Sequence, residues 1–156
     1  MKTWVVFACF IWVSLAQIFE RHLKYGDYIE LRPYNVTAAN LFYSSDIDGN
    51  GQFERDELNG VFEIYDVNHD NRVARHEYLH LISPPLYNFA VILFEDYDCF
   101  APPDGFIDDR DFDEYYIRMD GNKDGMVDRN EFVDHWIHVL EKNEDIHRPS
   151  AAPVTP

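Results

Sequence analysis

Four short acidic segments recur along the chain, and their spacing constrains the fold more than any other feature. They span residues 46–57, 66–77, 96–111 and 120–131, and we call them loops 1 to 4. Their equivalent sixth positions fall at residues 51, 71, 105 and 125, which is a spacing of 20 residues inside each half and 54 between the halves. A fixed period of this kind indicates repeated structural units. We therefore interpret the chain as a duplicated two-loop unit.

Loop 1 reads DIDGNGQFERDE and alternates oxygen-bearing side chains with other residues. A hard cation such as Ca²⁺ takes about seven oxygen ligands, which a twelve-residue loop supplies from side chains, one main-chain carbonyl and a closing bidentate glutamate. Gly51 at position 6 permits the positive φ that such a loop needs. The predicted ligands are Asp46, Asp48, Asn50, Glu57 and the main-chain carbonyl of Gln52. With this pattern, loop 1 resembles the EF-hand superfamily.

Loops 2 and 4 repeat the pattern of loop 1. The ligands predicted in loop 4 are Asp120, Asn122, Asp124, Glu131 and the carbonyl of Met126. Those predicted in loop 2 are Asp66, Asn68, Asp70, Glu77 and the carbonyl of Arg72. Loop 2 departs from the family at position 6, where Asn71 replaces glycine. Asparagine tolerates the left-handed backbone region better than most residues, so we expect weaker binding there, not its loss.

Loop 3 is a degenerate copy. Its second half follows the pattern, but the segment between Asp98 and Asp104 is four residues too long when Asp96 is placed at position 1. A short aspartate, Asp111, closes the loop where a longer glutamate is usual. The sequence leaves open a weak metal site or a metal-free turn here. The candidate ligands are Asp96, Asp98, Asp104, Asp108, Asp111 and the carbonyl of Phe106.

The resemblance implies an all-α, EF-hand-type array of helices and loops, built from two duplicated two-loop units. We expect the first unit at residues 37–82 and the second at 86–142, each with one central helix shared by its two loops. Only eight residues, 58–65, separate loops 1 and 2. The shared helix, about 55–65, would be ~16 Å long and would hold them at opposite ends. Neighbouring loops therefore should not pair, and pairing across the halves is expected, with the partners left open.

Charge and aromatic content narrow the class of protein. The chain has 29 acidic and 13 basic residues, a net charge of −16, which argues against nucleic acid or an anionic membrane as a partner. Because 46% of the residues are hydrophobic and 16% aromatic, the chain is expected to fold and not to be an acidic tail. Further helices are expected near 75–82, 86–95, 109–119 and 129–142, with their aromatic residues mainly in the core.

The two ends of the chain are predicted to lie outside the repeat. Residues 1–16 combine Lys2, an apolar run and Ser14-Leu15-Ala16, a pattern typical of a secretory signal peptide. Residues 17–36 form a lead segment, and residues 143–156 are expected to be a disordered tail. We therefore predict a secreted, extracellular protein. The sequon at Asn35 is a candidate glycosylation site, and Cys99, the one cysteine after the signal, is either a free thiol or the link of a dimer.

One motif suggests an enzyme, and we disfavour it. Residues 76–80 read HEYLH, in which two histidines one helical turn apart bind Zn²⁺ in metalloproteases and the glutamate acts as general base. Glu77 is already the closing ligand predicted for loop 2, however, and one carboxylate cannot serve both ions. Pro84 would also end the helix soon after the motif. Incidental zinc or copper binding by His76 and His80, or by His135 and His138, is a lesser alternative. No catalytic residue is predicted.

The expected function is calcium binding outside the cell, at three sites with a fourth left open. Extracellular sites commonly bind Ca²⁺ at 10⁻⁴–10⁻³ M, so near-constant occupancy would favour a structural or reservoir role in an extracellular, even calcified, matrix. A mineral surface or a basic matrix protein would be the partner. The alternative is a calcium-dependent sensor of the secretory pathway. The chain has only 3 Met, whereas sensors usually open a Met-rich groove.

Overall fold

A computed structural model describes residues 31–82 and 86–147 of the chain. The predicted signal segment 1–16, the following residues 17–30, the segment 83–85 with Pro84, and residues 148–156 lie outside the described residues. The described part is mostly helical with two small antiparallel sheets, in line with the expected all-α class.

Each loop lies between two helices. The helices are α1 (Tyr34–Ser45), α2 (Arg55–Phe62), α3 (Arg75–His80), α4 (Tyr87–Tyr97), α5 (Asp109–Met119), α6 (Arg129–Lys142) and α7 (Glu144–His147). The strands are β1 (Gln52–Phe53), β2 (Val73–Ala74), β3 (Phe106–Ile107) and β4 (Val127–Asp128), one in each loop. Helix α2 joins loops 1 and 2, and α5 joins loops 3 and 4, so each two-loop segment has one central helix as expected.

The helices that follow loops 3 and 4 begin at aspartate caps. The side chain of Asp108 accepts the Arg110 N–H (2.9 Å), and that of Asp128 accepts the N–H groups of Asn130 (2.7 Å) and Glu131 (3.0 Å). Such caps satisfy donors that have no partner inside the helix. The bounds of α5 and α6 confirm the sequence expectation. Helix α2 ends at Phe62, earlier than the expected Tyr65, and the chain continues as a turn.

The strands pair across the two halves of the chain. β1 pairs with β4, with Phe53 opposite Val127, and β2 pairs with β3, with Val73 opposite Ile107. Loop 1 therefore lies beside loop 4, and loop 2 beside loop 3. This confirms that neighbouring loops do not pair, because the helix between them separates their strands. The pairing is nested, so the two halves form a common structure in the described residues.

Aromatic side chains fill the core beneath both loop pairs. Phe132 of α6 contacts Phe42 of α1 (ring centroids 5.4 Å apart) and Phe53 of loop 1 (4.9 Å). Under loops 2 and 3, Phe62 lies 4.7 Å from Phe112. These rings are buried, which confirms that the helical aromatic stripes are mainly packing residues. The core thereby fixes the ends of the helices from which the loops project.

The structure corrects both expected boundaries of the repeat. Helix α1 begins at Tyr34, inside the predicted lead segment 17–36, and Leu31 is buried in the core. Residues 143–147, predicted to be disordered, also belong to the fold: Asn143 is buried and donates to the Val139 carbonyl (2.8 Å), and α7 follows it. An ion pair between Arg32 and Glu144 joins the two ends of the described chain. Only residues outside the acidic loops make these contacts, so the ligand pattern carried no information about them.

Candidate metal centre

The first aspartate of each loop holds the backbone that follows it. In loop 1, the Asp46 carboxylate accepts the N–H groups of Asn50 (3.0 Å) and Gly51 (2.9 Å). In loop 4, Asp120 accepts those of Asp124 (3.2 Å) and Gly125 (2.9 Å). The carboxylate is thus hydrogen-bonded to the fifth and sixth residues of its own loop, and the backbone turns around it.

Loop 2 repeats this arrangement at its own first aspartate. Asp66 accepts the N–H groups of Asp70 (3.1 Å) and Asn71 (2.9 Å). The sixth residues of loops 1 and 2 both have positive φ, +85° at Gly51 and +63° at Asn71. Asn71 therefore adopts the left-handed conformation that glycine has at the same position of loop 1. This is expected because asparagine tolerates that conformation better than most residues.

Loop 3 has the same arrangement, but its register differs from the sequence expectation. Asp98 accepts the N–H groups of Asp104 (3.1 Å) and Gly105 (2.8 Å), so Asp98 and not Asp96 stands at position 1. Asp96 lies within α4 and pairs with Lys142 (3.6 Å), away from the loop backbone. The interpretation of Asp96 as a ligand is therefore wrong. Loop 3 runs from Asp98 to Asp111, two residues longer than the others.

Acidic residues close the loops from their far ends. Glu57 accepts the N–H groups of Ile47 (2.6 Å) and Glu54 (2.9 Å), and Glu131 accepts those of Asn122 (2.9 Å) and Asp128 (3.1 Å). In loop 2, Glu77 accepts the Ala74 N–H (2.9 Å). Glu57 and Glu131 therefore reach back to the start of their loops from the first turn of the following helix, whereas the bond of Glu77 stays at the start of its helix. This is the position from which a bidentate ligand closes a calcium site.

The remaining predicted side-chain ligands also face into loops 1, 2 and 4. At position 3, Asp48, Asn68 and Asn122 each accept the N–H of the fifth residue, at 3.0, 2.8 and 2.8 Å. At position 5, the side-chain oxygens accept the N–H of the seventh residue, whose carbonyl is the predicted main-chain ligand. These pairs are Asn50 with Gln52, Asp70 with Arg72, and Asp124 with Met126, at 2.8, 3.1 and 2.9 Å.

Three carboxylates come close together in loop 1. One oxygen from each of Asp46, Asp48 and Glu57 lies within 4.8 Å of the other two. Glu57 is buried, and the loss of solvent is the largest cause that raises the pKa of its carboxyl group. A buried carboxylate beside two others is costly unless a cation compensates its charge. The donor set is made only of oxygen, which suits Ca²⁺ or Mg²⁺ better than zinc or copper.

In loop 3, groups of the chain itself satisfy the acids. Asp111 accepts three backbone N–H groups, from Cys99 (2.9 Å), Phe100 (2.8 Å) and Asp108 (2.9 Å). Arg110 pairs with Asp108 (2.6 Å) and Asp104 (3.5 Å), and its hydrogen bond lowers the pKa of the Asp108 carboxyl. The Arg110 guanidinium thus pairs with two of the candidate ligands predicted in loop 3.

Three other predicted residues have definite environments. Asn35 is exposed in the first turn of α1, where a glycan has room, and glycosylation stays a prediction. Cys99 is half-buried, burial raises the pKa of its thiol to about 11, and its Sγ contacts the Asp111 carbonyl at 3.6 Å. A dimer linked through this thiol also stays a prediction. Glu77 of the HEYLH motif is buried against loop 2, between the exposed His76 and His80.

Comparisons with known proteins give no further guide to this site. No protein-family model, curated protein or solved structure matches the chain. Within residues 31–82 and 86–147, none of the helices has both the length and the apolar character needed to span a membrane.

One sequence signal would have located the start of loop 3. In each loop the N–H of the first aspartate donates to the carbonyl of an aromatic residue four positions earlier, at 2.9–3.3 Å. These aromatic residues are Phe42, Phe62, Phe94 and Tyr116. Counting forward from Phe94 gives Asp98 as position 1. The role of Arg110, in contrast, has no counterpart in the ligand pattern, so the pattern could not reveal it.

Proposed function

We propose that the protein is a secreted calcium-binding protein of EF-hand type that holds three Ca²⁺ ions, in loops 1, 2 and 4. The observation that carries the proposal is the convergence of Asp46, Asp48 and Glu57 within 4.8 Å in loop 1. The repetition of the same backbone scheme in loops 2 and 4 supports the other two sites. The flanking helices and the short strand pairs between loops are those that the EF-hand resemblance leads one to expect.

Loop 3 is assigned a structural role in this proposal. Its closing aspartate already accepts three backbone N–H groups, and Arg110 compensates Asp104 and Asp108. A calcium ion there would have to displace the Arg110 guanidinium. Because Arg110 belongs to the same chain, its ion pairs form without the cost of binding an ion from solution. Loop 3 therefore supplies β3 as the partner of β2 without needing an ion.

We infer a structural or reservoir role in an extracellular matrix. At millimolar calcium, sites of the extracellular affinity class would be largely filled at all times. Three Ca²⁺ add six positive charges to a chain whose net charge is −16, so the loaded protein stays acidic. Such a surface suits a mineral face or a basic matrix protein as a partner. Dye binding separates this role from that of a sensor: calcium should leave the exposed apolar surface almost unchanged, whereas a large increase would favour the sensor.

Titration calorimetry with closing-glutamate variants tests the calcium sites. The purified protein should bind three ions, and Glu57→Gln, Glu77→Gln and Glu131→Gln should each remove one, because the closing carboxylate supplies two of the oxygen ligands. Glu63→Gln is the matched control, since it makes the same change on an exposed residue outside the loops.

Two results would contradict the proposal. One is a parent protein that takes up no calcium at millimolar concentration. The other is an equal loss of calcium in Glu63→Gln and in the three loop variants, which would mean that net charge and not loop geometry governs binding.

A further inference from the structure

Tyr116 of α5 is placed between loops 1 and 4. Its hydroxyl donates to the Phe53 carbonyl of loop 1 (2.9 Å) and accepts the Val127 N–H of loop 4 (3.2 Å). Phe53 and Val127 are the residues that face each other in the β1–β4 pair. A single hydroxyl on a third element therefore joins the two strands at the position where the loops meet.

The same residue also holds the start of loop 4. The Tyr116 carbonyl accepts the N–H of Asp120, the first predicted ligand of that loop (3.0 Å). Tyr116 thus contacts the first and eighth residues of loop 4 and the eighth residue of loop 1. The Tyr116 side chain is half-buried against the core.

The other three loops provide an internal comparison. The residues equivalent to Tyr116 are Phe42, Phe62 and Phe94, which are buried and lack a hydroxyl. Each makes the main-chain contact to the first aspartate of its loop, at 2.9, 3.3 and 2.9 Å. The hydroxyl is therefore an addition, specific to loop 4, to a position that otherwise works with phenylalanine. The aromatic ring alone serves packing, so the hydroxyl requires a separate explanation.

We propose that Tyr116 is a positioning residue that couples calcium binding in loop 1 to calcium binding in loop 4. This inference rests on the calcium sites of the proposed function. An ion in one loop orders its strand, and the two hydrogen bonds of the Tyr116 hydroxyl carry that order to the facing strand. The second ion then binds to a loop whose ordering cost has been partly met. Coupling between sites is a free energy shared equally by both.

A double-mutant cycle measures this coupling. All variants carry Glu77→Gln, which removes the proposed site in loop 2. Calorimetry then gives the calcium affinity of loop 4 with and without Glu57→Gln. The pair of measurements is made once with Tyr116 and once with Tyr116→Phe. With Tyr116 present, Glu57→Gln should weaken loop 4 by about fivefold, the scale of one net hydrogen bond. With Phe at 116, the same change should have less than a twofold effect. An equal effect in both backgrounds would overturn the proposal.

Controls separate this proposal from the one on which it rests. Tyr115→Phe removes a neighbouring hydroxyl that bonds His135 (2.8 Å) and no loop, so the fivefold effect should persist. If the Glu77→Gln parent binds no calcium, the proposed function fails and the coupling fails with it. If the parent binds two ions and Glu57→Gln leaves loop 4 unchanged, only the coupling fails.

A second measurement leaves Tyr116 in place and does not depend on how Tyr116→Phe folds. In the Glu57→Gln, Glu77→Gln double variant, loop 4 is the one proposed site that can still bind calcium. Amide hydrogen exchange at Phe53 of loop 1 should then slow by at least about threefold when calcium is added, because its strand is ordered from the other side. Unchanged exchange at Phe53, with slowed exchange at Val127, would contradict coupling through this hydroxyl.

Discussion

The two loop pairs differ in how their buried acids are compensated. In the pair of loops 1 and 4, both loops have glycine at position 6 and a closing glutamate, and Tyr116 joins their strands. In the pair of loops 2 and 3, Asn71 takes the place of glycine, and loop 3 closes on Asp111 beside the guanidinium of Arg110. In loop 3 the same backbone scheme is completed by groups of the chain, and under the proposed function an ion completes it in loops 1, 2 and 4.

This comparison indicates a division of roles within one fold. Under the proposed function, the pair of loops 1 and 4 would depend on two ions, and the pair of loops 2 and 3 on one ion and on internal bonds. Removing calcium should therefore affect the two pairs unequally. The predictions below test this difference, beginning with the largest effect.

Removing calcium should cause the largest change. Without ions, the buried carboxylates of Glu57, Glu77 and Asp120 lie in loops with no compensating cation, which is unfavourable. Chelation with excess EGTA at low salt should therefore remove much of the helical circular dichroism, and the amides of loops 1 and 4 should lose protection before those of loop 3. Unchanged helicity would contradict the account.

Substitutions of the closing aspartate of loop 3 and of the closing glutamate of loop 4 should distinguish a structural role from a role in ion binding. Asp111→Asn leaves three backbone N–H groups poorly matched, and it should destabilise the protein by about 1–3 kcal/mol with or without calcium. Glu131→Gln changes a partner of two backbone N–H groups and also a closing ligand, so it should cost clearly more when calcium is present than when it is absent. Urea unfolding in both conditions checks this. A calcium-dependent effect for Asp111→Asn would make loop 3 a metal site.

Acidification should reduce the stability that calcium adds to the protein. Burial raises the pKa of Glu57 above its ordinary 4.5 and that of Asp111 above 3.8, and a carboxyl group with a raised folded-state pKa favours folding as pH falls. Burial lowers the pKa of His135 from 6.5 to about 4, and a histidine that stays neutral in the folded state opposes folding as pH falls. Only the loaded protein also loses Ca²⁺ to protons. The difference in Tm between the loaded and the calcium-free protein should therefore decrease from pH 7 to about 5, and a constant difference would contradict this expectation.

The smallest predicted effect concerns Asn71. Glycine relieves the positive φ of this position, so Asn71→Gly should strengthen calcium binding at loop 2 by about two- to fivefold, equivalent to roughly 0.5–1 kcal/mol. Calorimetry on the variant in a Glu57→Gln, Glu131→Gln background isolates loop 2. A weaker site would mean that the Asn71 side chain has a role beyond its backbone conformation.

Residue patterns were informative where the chemistry is local. The ligand spacing located side chains that accept backbone N–H groups inside loops 1, 2 and 4, and the helical periodicity located α5 and α6 with their observed ends. The length of the segment after Glu57 also excluded pairing of neighbouring loops. Each of these features depends on residues within about twelve positions of one another.

The features that were missed depend on distant parts of the chain. Loop 1 pairs with loop 4 and not with loop 3 because of core packing, such as that of Phe132 against Phe53. The spacing of ligands in the sequence does not reveal such contacts. The position of Asp96 was wrong because counting ligands ignores where α4 ends, at Tyr97. The order of residues 143–147 was missed because the pair between Arg32 and Glu144 joins residues far apart in the sequence, which a local pattern does not reveal.

Anomalous scattering from crystals of the calcium-loaded protein tests the central claim most directly. The account predicts three strong calcium peaks, one each in loops 1, 2 and 4, and no comparable peak in loop 3, where Arg110 lies against Asp108. The absence of a peak beside Glu57 or Glu131, or a peak of equal height between Asp98 and Asp111, would contradict it.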